Sequence, residues 1–368
     1  MSNVLKTVRL AVPVLFFGYG VIANVGMLSK GGPDIDLPES GLLSGGLTAD
    51  FDRAYKKQLP HMDLALGAIG AARFTLLGEA RQGALVGADG WLFTAEEARA
   101  LPTTGEVARI VATVQDVQND LAAVGTRLVV VPLPAKVDIY RDKSPDPALG
   151  DALAGLYADF RTSLSKRGIA VVDARKPLLE ADTETFLATD THWTPEGAER
   201  VAEAVAAAGI IEPGDLAFDR TEAKPVTLSG DLVKFVTTPD RAAAVGLAPE
   251  TVTLTEQAQT GAQADIFGAG GPDIVLVGTS YSANPNWGFA DALMRTLRRD
   301  VVSMAENGLG PLRPMQDYLA SDAAAANPAS VLIWEIPVRY LTDPAMWPAD
   351  PVSAPTVAGL SSGENSDG

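Results

Sequence analysis

The sequence predicts an α/β fold in which a parallel sheet carries helices on both faces. Short apolar runs such as 126–131 and 273–277 have almost no polar interruption, which is typical of strands buried on both sides. Segments with helical spacing, such as 106–123 and 148–167, alternate with these runs. The same alternation predicts further strands at 169–173, 300–303 and 330–335, and further helices at 49–77, 195–208, 287–297 and 312–321. No internal repeat is visible, and 210–270 is less regular.

The N-terminal residues 1–29 predict a membrane anchor. Lys6 and Arg9 precede residues 10–28, nineteen residues without a charge. A helix of that length spans about 28 Å, close to the ~30 Å hydrocarbon core of a bilayer. The positive-inside rule then places the N-terminus in the cytoplasm and the rest in the periplasm, on the inner membrane. A cleaved signal peptide is the alternative.

The remaining chain divides into three parts by composition. Residues 30–45 are rich in Gly, Pro, Ser and acids, which predicts a linker. Residues 46–344 carry the strand and helix patterns and form the predicted domain. Residues 345–368 are rich in Pro, Ala, Ser and Gly, which predicts a disordered tail.

Composition excludes several classes of function. The chain has 368 residues, no cysteine and two histidines, so cysteine-ligated metals and a histidine-rich zinc site are not expected. We predict neither a metal nor a cofactor. The net charge of −17, with no basic stretch, argues against nucleic acid as a partner.

The first candidate motif is Asp190-Thr191-His192. Thr194 and Pro195 follow as a predicted N-cap and first helical residue, so the motif lies on a loop just before a helix. Residues i and i+2 of an extended loop point the same way, and histidine exchanges protons near neutral pH. The motif is compatible with a catalytic pair or with a hydrogen-bonding cluster that caps the helix.

The second candidate motif is Gly278-Thr279-Ser280, directly after the apolar run 273–277. A serine at the carboxyl end of a buried parallel strand lies at the edge where open α/β folds bind ligands. It can act as a nucleophile if a histidine reaches it and a carboxylate orients that histidine. Taken alone, the motif also fits an ordinary strand-to-helix turn.

Four motifs in order resemble the alginate O-acetyltransferase family. They are 87–93 (Gly-Ala-Asp-Gly-Trp-Leu-Phe), 190–193 (Asp-Thr-His-Trp), 278–282 (Gly-Thr-Ser-Tyr-Ser) and 334–337 (Trp-Glu-Ile-Pro). The resemblance implies an SGNH-hydrolase-like fold. Ordinary SGNH hydrolases place the serine first and the Asp-x-x-His last. The reversed order here resembles a circular permutation of that fold.

The resemblance also implies an activity and its residues. Ser280 would be the nucleophile, His192 the base and Asp190 the orienting carboxylate of an enzyme that acetylates polysaccharide hydroxyls through an acetyl-enzyme. The Ser280 backbone N–H would stabilise the oxyanion, with Tyr281 and Asn284 as further oxyanion or substrate candidates. The family's acetyl donor is supplied by a membrane-bound O-acyltransferase, which the predicted anchor would suit.

Several alternatives remain open at this stage. Lys136 could face the site or be a solvated lysine, and Glu335 could be structural or support the site from behind. The net charge of −17 favours a neutral acceptor over a polyuronate unless a local basic patch intervenes. An acetylesterase and a non-catalytic anchored subunit are the competing functions.

Overall fold

A computed structural model describes residues 2–29, 62–260 and 272–348, together with residues 48, 51, 52, 55 and 59. The predicted linker 30–45, His61 and residues 349–368 of the predicted tail lie outside the described residues. The chain divides into two compact units, Met1–Leu77 and Gly78–Gly368.

The first unit is helical where it is described. Helix α1 spans Ser2–Leu28 and α2 spans Met62–Leu77, so the predicted helix 49–77 is observed in its second half. Within the described part of the chain, no helix combines the length and the apolar character that crossing a bilayer requires. The anchor at 1–29 stays a prediction.

The second unit contains nine strands and ten further helices among its described residues. The strands are β1 Ala84–Val86, β2 Leu92–Thr94, β3 Arg127–Leu133, β4 Ala170–Val171, β5 Ala217–Leu228, β6 Glu250–Thr260, β7 Ile274–Val277, β8 Val301–Ser303 and β9 Val331–Pro337. The helices are α3 Thr104–Ala123, α4 Lys136–Ile139, α5 Pro147–Lys166, α6 Arg175–Leu179, α7 Pro195–Ala207, α8 Pro239–Ala242, α9 Ser280–Ala283, α10 Phe289–Leu297, α11 Leu312–Leu319 and α12 Asp322–Ala326.

Five of these strands form one parallel sheet in the order β4-β3-β9-β7-β8. The central strand β9 pairs with β3 along seven residues, from Arg127 opposite Val331 to Leu133 opposite Pro337. On its other side β9 pairs with β7, which leads to Ser280. The predicted parallel α/β sheet is confirmed.

Alternate residues of β3 enter two separate cores, one on each face of the sheet. Val130 packs into a core that contains the buried residues of α3, α5 and α11. Val129 packs into the opposite core, against α7 and α10. Burial on both faces explains why the strands read as unbroken apolar runs rather than as alternating ones.

The start of α7 is built as the sequence predicts. Thr194 is the N-cap and its hydroxyl accepts from the Gly197 N–H, while Pro195 is the first helical residue. This cap satisfies one of the free N–H groups that every helix start leaves. It fixes the point at which the loop carrying Asp190 and His192 ends.

Two features differ from the prediction. The stretch 210–270 contains an antiparallel hairpin of β5 and β6, which the apolar pattern did not reveal because its strands are rich in Thr, Glu and Gln and largely exposed. The structured chain also continues past the predicted end at 344. Trp347 is buried, its ring contacts Trp334 and its indole N–H donates to the Tyr340 carbonyl at 3.1 Å, so the predicted tail starts too early.

Candidate active site

Ser280 lies at the carboxyl end of the sheet, where β7 turns into the short helix α9. Thr279 caps this helix through its hydroxyl, which accepts from the Tyr281 N–H. A Cβ at Gly278 would lie 2.6 Å from the Glu335 carboxylate and 2.9 Å from the Ser282 hydroxyl, so the turn requires glycine there. The tight turn holds the half-buried Ser280 at a fixed position.

The structure brings Ser280, His192 and Asp190 into one hydrogen-bonded chain. His192 Nε2 lies 2.7 Å from Ser280 Oγ, and its Nδ1 lies 2.6 Å from Asp190 Oδ1. Because Nδ1 faces a carboxylate, the proton belongs on Nδ1, which leaves Nε2 to accept from the serine hydroxyl. These distances are those of a nucleophile, a base and an orienting carboxylate.

Asp190 is held on both of its carboxylate oxygens. Oδ1 also accepts from the His192 backbone N–H at 2.9 Å, and Oδ2 accepts from the Asp231 N–H at 2.8 Å. Burial opposes the charged form, but the hydrogen bonds and charge of His192 outweigh it and hold the pKa of Asp190 below its usual value. The carboxylate is therefore ionised when a proton arrives on His192.

Two acidic residues from the region between the motifs hold the loop. Glu250, at the start of β6, accepts from the Ala188 N–H at 2.7 Å, and from the N–H and hydroxyl of Thr189 at 2.9 and 2.8 Å. Asp231 accepts from the N–H and hydroxyl of Thr191, at 2.8 and 3.0 Å. Neither residue was singled out in the sequence, because nothing in an irregular polar stretch marks which acid meets which loop.

Lys136 is buried, so the solvated alternative left open by the sequence is wrong. Its side chain is 1% exposed, and its ammonium donates to the carbonyls of Leu92, Ala188 and Asp190. Burial lowers its pKa to about 8 despite the nearby charges of Glu97 and other acids. Lys136 therefore faces the back of the Asp190 loop.

Glu335 supports Ser280 from below. Its carboxylate is buried and accepts from the Thr279 N–H at 2.8 Å and from the Ser282 hydroxyl at 3.0 Å. Burial raises the pKa of Glu335, although these hydrogen bonds act in the opposite direction. Of the two roles left open by the sequence, the structure shows a supporting contact and no approach to His192.

Neither predicted oxyanion side chain is placed for that role. The Tyr281 hydroxyl is buried, donates to the Thr191 carbonyl at 2.8 Å and accepts from Arg339 at 2.7 Å. The Asn284 side-chain oxygen accepts from the Asn286 N–H at 3.0 Å and starts the next turn. Neither residue lines the cavity at Ser280, so these contacts do not support their predicted role, which stays a prediction.

A cavity of about 510 Å³ opens at Ser280 and His192. Its charged lining is more basic than acidic, with Arg99, Lys234 and Arg339 against Glu96 and Asp231. A larger cavity of about 610 Å³ lies beside the indole of Trp287, which stacks on the His192 ring, and does not include Ser280. That second cavity is mainly acidic, with charged lining residues Glu184, Glu196, Glu199, Glu250, Asp291, Arg220 and Arg295.

Ligand atoms of Asp190, His192 and Asp231 lie within 4.8 Å of one another among the described residues. Each already has a hydrogen-bond role, since Asp190 binds the imidazole and Asp231 binds Thr191. A cation there would replace the hydrogen bond that sets the His192 tautomer. The prediction of no metal stays a prediction.

A parallel sheet with Ser280 after one strand, and a His-Asp pair on a neighbouring loop, is the arrangement of an SGNH-hydrolase-like domain. Residues 84–338 match the family model described as an SGNH hydrolase-like domain, acetyltransferase AlgX. The chain belongs to this family.

Curated relatives agree with this assignment. The chain is 35% identical over 322 residues to the "probable alginate O-acetylase AlgJ" of Pseudomonas aeruginosa, covering 82% of each chain. It is 31% identical over 274 residues to the alginate biosynthesis protein AlgX of Pseudomonas syringae, covering 70% of this chain and 56% of that protein.

Solved structures lead to the same family. The O-acetyltransferase domain of Pseudomonas putida AlgJ is 34% identical, with a TM-score of 0.61, and the match covers 72% of this chain and 93% of that one. Pseudomonas aeruginosa AlgX is 27% identical, with a TM-score of 0.56, covering 71% and 67%. The chain is a polysaccharide O-acetyltransferase, and the family resemblance drawn from its four motifs is confirmed.

Proposed function

We propose that the chain transfers acetyl groups to polysaccharide hydroxyls through an acetyl-enzyme on Ser280. The observation that carries this is the unbroken chain of contacts from Ser280 Oγ through His192 to Asp190, at 2.7 and 2.6 Å. A serine that donates to a correctly oriented imidazole is an activated nucleophile.

The reaction has two halves. Ser280 Oγ attacks the acetyl carbonyl while His192 Nε2 takes the hydroxyl proton and passes it to the leaving group. A sugar hydroxyl then attacks the acetyl-enzyme carbonyl and gives its proton to Nε2. The Oγ–acetyl bond breaks, Nε2 returns the proton to Ser280 Oγ, and the acetylated sugar leaves. Asp190 remains ionised and stabilises the imidazolium in both halves.

The oxyanion formed in each half needs N–H or O–H donors. The Ser280 N–H stands at the start of α9, where helix N–H groups have no acceptor within the helix. Tyr340 lines the cavity, and its hydroxyl accepts from Arg339 at 3.1 Å, which leaves the hydroxyl proton free to donate. Tyr340 replaces Tyr281 and Asn284 as the side-chain candidate.

The acceptor we propose is an alginate-type polyuronate. The relatives are named for alginate, and the cavity at Ser280 carries a basic excess that the net charge of the chain conceals. Lys234 is exposed at this cavity and is available to a uronate carboxylate. Arg99 and Arg339 are already paired with Asp343 and Glu96, so Lys234 is the cation that supports a charged acceptor over the neutral polymer that net charge alone suggested.

Turnover of a chromogenic acetyl ester tests the reaction. The wild-type protein should release acetate slowly in water and form acetylated sugars when alginate oligosaccharides are added, as seen by mass spectrometry. Neutral glucan oligosaccharides are the matched control for the acceptor. If acetate is released at the same rate and no sugar is acetylated, the protein is an esterase. If Ser280→Ala turns over as wild type, the nucleophile assignment is wrong.

We also propose a periplasmic position on the inner membrane, with acetyl groups delivered by a membrane-bound O-acyltransferase. Lys6, Arg9 and the uncharged run 10–28 support this position, and cleavage of the segment is the alternative. A C-terminal reporter active only in the cytoplasm should be silent. A strong cytoplasmic signal would contradict the proposed position.

A further inference from the structure

Lys136 makes an unusual set of contacts behind the catalytic loop. An ammonium has three N–H donors and no acceptor. Here the three distances are 2.7 Å to the Leu92 carbonyl, 3.0 Å to that of Ala188 and 2.9 Å to that of Asp190. All three donors therefore have backbone acceptors, and one of those acceptors belongs to Asp190 itself.

The surroundings of Lys136 keep the cation in place without an ion pair. Its Nζ lies 5.0 Å from the ring centre of Trp91 and 5.1 Å from that of Phe93, both on or beside β2. The carboxylate of Glu97 is engaged with the backbone instead, accepting from the N–H groups of Lys136 and Val137 at 2.8 and 3.0 Å. Among the described contacts, no carboxylate oxygen bonds to Nζ. The ammonium therefore holds the three backbone carbonyls in place.

The position of the Asp190 peptide depends on this contact. Glu250 holds the N–H groups before it and Asp231 holds the N–H after it, but the Asp190 carbonyl is bound by Lys136. The same lysine ties that carbonyl to Leu92 on β2, a strand of a separate two-stranded sheet. Because the peptide is held in this way, the position of the Asp190 side chain is fixed. The alignment of its carboxylate with His192 is then fixed as well.

We infer that Lys136 is a positioning residue for acetyl transfer, whose three hydrogen bonds set the alignment of Asp190 with His192 and Ser280. The inference rests on the proposed function of the triad. It predicts that loss of the ammonium slows the chemical step and leaves substrate binding unchanged, because the lysine lies behind the loop and does not line the cavity. A misplacement on the order of 1 Å at a catalytic group costs about 10²-fold in rate.

The test compares wild type with Lys136→Met, which keeps the chain length and removes the donors. Lys176→Met is the matched control, since that side chain is 71% exposed. We expect kcat for the chromogenic acetyl ester to fall about 10²-fold in Lys136→Met with KM unchanged, and the control to equal wild type. The chain contains only two histidines, so the Nδ1–H proton resonance of His192 reports its bond to Asp190 directly. This resonance should shift or broaden in Lys136→Met alone.

A second variant keeps the inference testable if Lys136→Met does not fold. The chain has no cysteine, so Lys136→Cys offers one thiol that can be alkylated in denaturant and refolded. 2-Bromoethylamine restores an ammonium at nearly the lysine length, and 1-bromopropane gives the same shape without charge. We expect the aminoethylated protein to regain at least 10-fold in kcat over the propylated one, with refolded wild type as reference.

The outcomes separate this inference from the proposed function. If Ser280→Ala matches wild type, the proposed function of the triad is refuted, and the positioning role of Lys136 is refuted with it. If Ser280→Ala is inactive but Lys136→Met keeps wild-type kcat and the His192 resonance, the positioning role is refuted alone. Equal activity of the aminoethylated and propylated proteins, both folded, also refutes it.

Discussion

Replacing Asp190 with asparagine tests the orientation of the catalytic histidine. Asp190 Oδ1 accepts from His192 Nδ1–H and from the His192 backbone N–H, whereas Oδ2 accepts from the Asp231 N–H. An amide has one accepting oxygen and one donating NH2 group, so it cannot accept on both sides. In either orientation of the amide, its NH2 group faces an N–H donor of His192 or of Asp231.

The two orientations of the amide have unequal costs. With its oxygen at the Oδ1 position, the side chain keeps both His192 contacts and loses the one from Asp231. With its oxygen at the Oδ2 position, it keeps the Asp231 contact and faces the His192 backbone N–H with a donor. In the second orientation the amide NH2 also faces Nδ1–H, so two contacts are lost against one in the first. We therefore expect the first orientation to dominate and to leave the proton on Nδ1.

The rate loss then comes from the missing charge beside the imidazolium. A hydrogen bond to a charged group contributes about 1.5–3 kcal/mol, which corresponds to roughly 10- to 150-fold in rate. We expect kcat of Asp190→Asn for the acetyl ester to fall on the order of 10²-fold at constant pH. Unfolding free energy should fall by about 1–3 kcal/mol because the Asp231 N–H loses its buried acceptor.

Two results would contradict this reasoning. An Asp190→Asn rate within about threefold of wild type would show that the carboxylate does not assist the histidine. A loss of about 10⁴-fold would show that the second orientation prevails and inverts the tautomer. Crystallography of the variant would identify the orientation through the Asp231 contact.

Three further predictions follow from the same contacts. Ser280→Ala and the Ser280→Ala/His192→Ala double variant should lose activity to the same level in the ester assay, because the two residues act as a unit. Glu335 has a raised pKa, so the folded state binds its proton more tightly than the unfolded state does. The stability that this group contributes therefore falls as pH rises above about 4.5. Glu335→Gln should remove this fall when melting is measured across pH. Gly230→Ala should lower the melting temperature and kcat together, because a Cβ there would lie 2.1 Å from the Thr189 carbonyl. Gly155→Ala, inside α5 with open space around it, is the control and should be stabilised by up to about 1 kcal/mol.

Each of these predictions has a clear opposite result. A double variant much slower than Ser280→Ala would mean that the histidine has a separate role. An unchanged pH dependence of melting in Glu335→Gln would place the titration on another group. A fully active Gly230→Ala enzyme would show that the catalytic loop tolerates displacement.

The sequence predicted those parts of the site that carry local signals. Asp190, His192 and Ser280 stand beside a helix cap and a buried strand, so residue type and position together identified them. Lys136 and Glu335 were named as candidates from the sequence, but their burial was not predicted, since burial depends on what packs over them.

Residues defined by tertiary contact alone were not predictable. Asp231 and Glu250 lie 40 or more positions from the loop that they hold, in a stretch without apolar periodicity. Tyr281 and Asn284 were assigned by proximity to Ser280 along the chain, but their side chains bond to the Thr191 carbonyl and the Asn286 N–H, and neither lines the cavity. Tyr340 faces the cavity from a turn after β9, about 60 positions later.

The strand order has a consequence for how the protein is made. The last strand among the described residues, β9, is the middle strand of the sheet, between β3 and β7. Without residues 331–337, β4-β3 and β7-β8 are two separate strand pairs with no shared edge. Thr279 also lacks its contact to the carboxylate of Glu335. The turn that carries Ser280 therefore gains its contacts to Glu335 only after β9 has been synthesised. Completion of the sheet and support of the Ser280 turn therefore depend on the same strand.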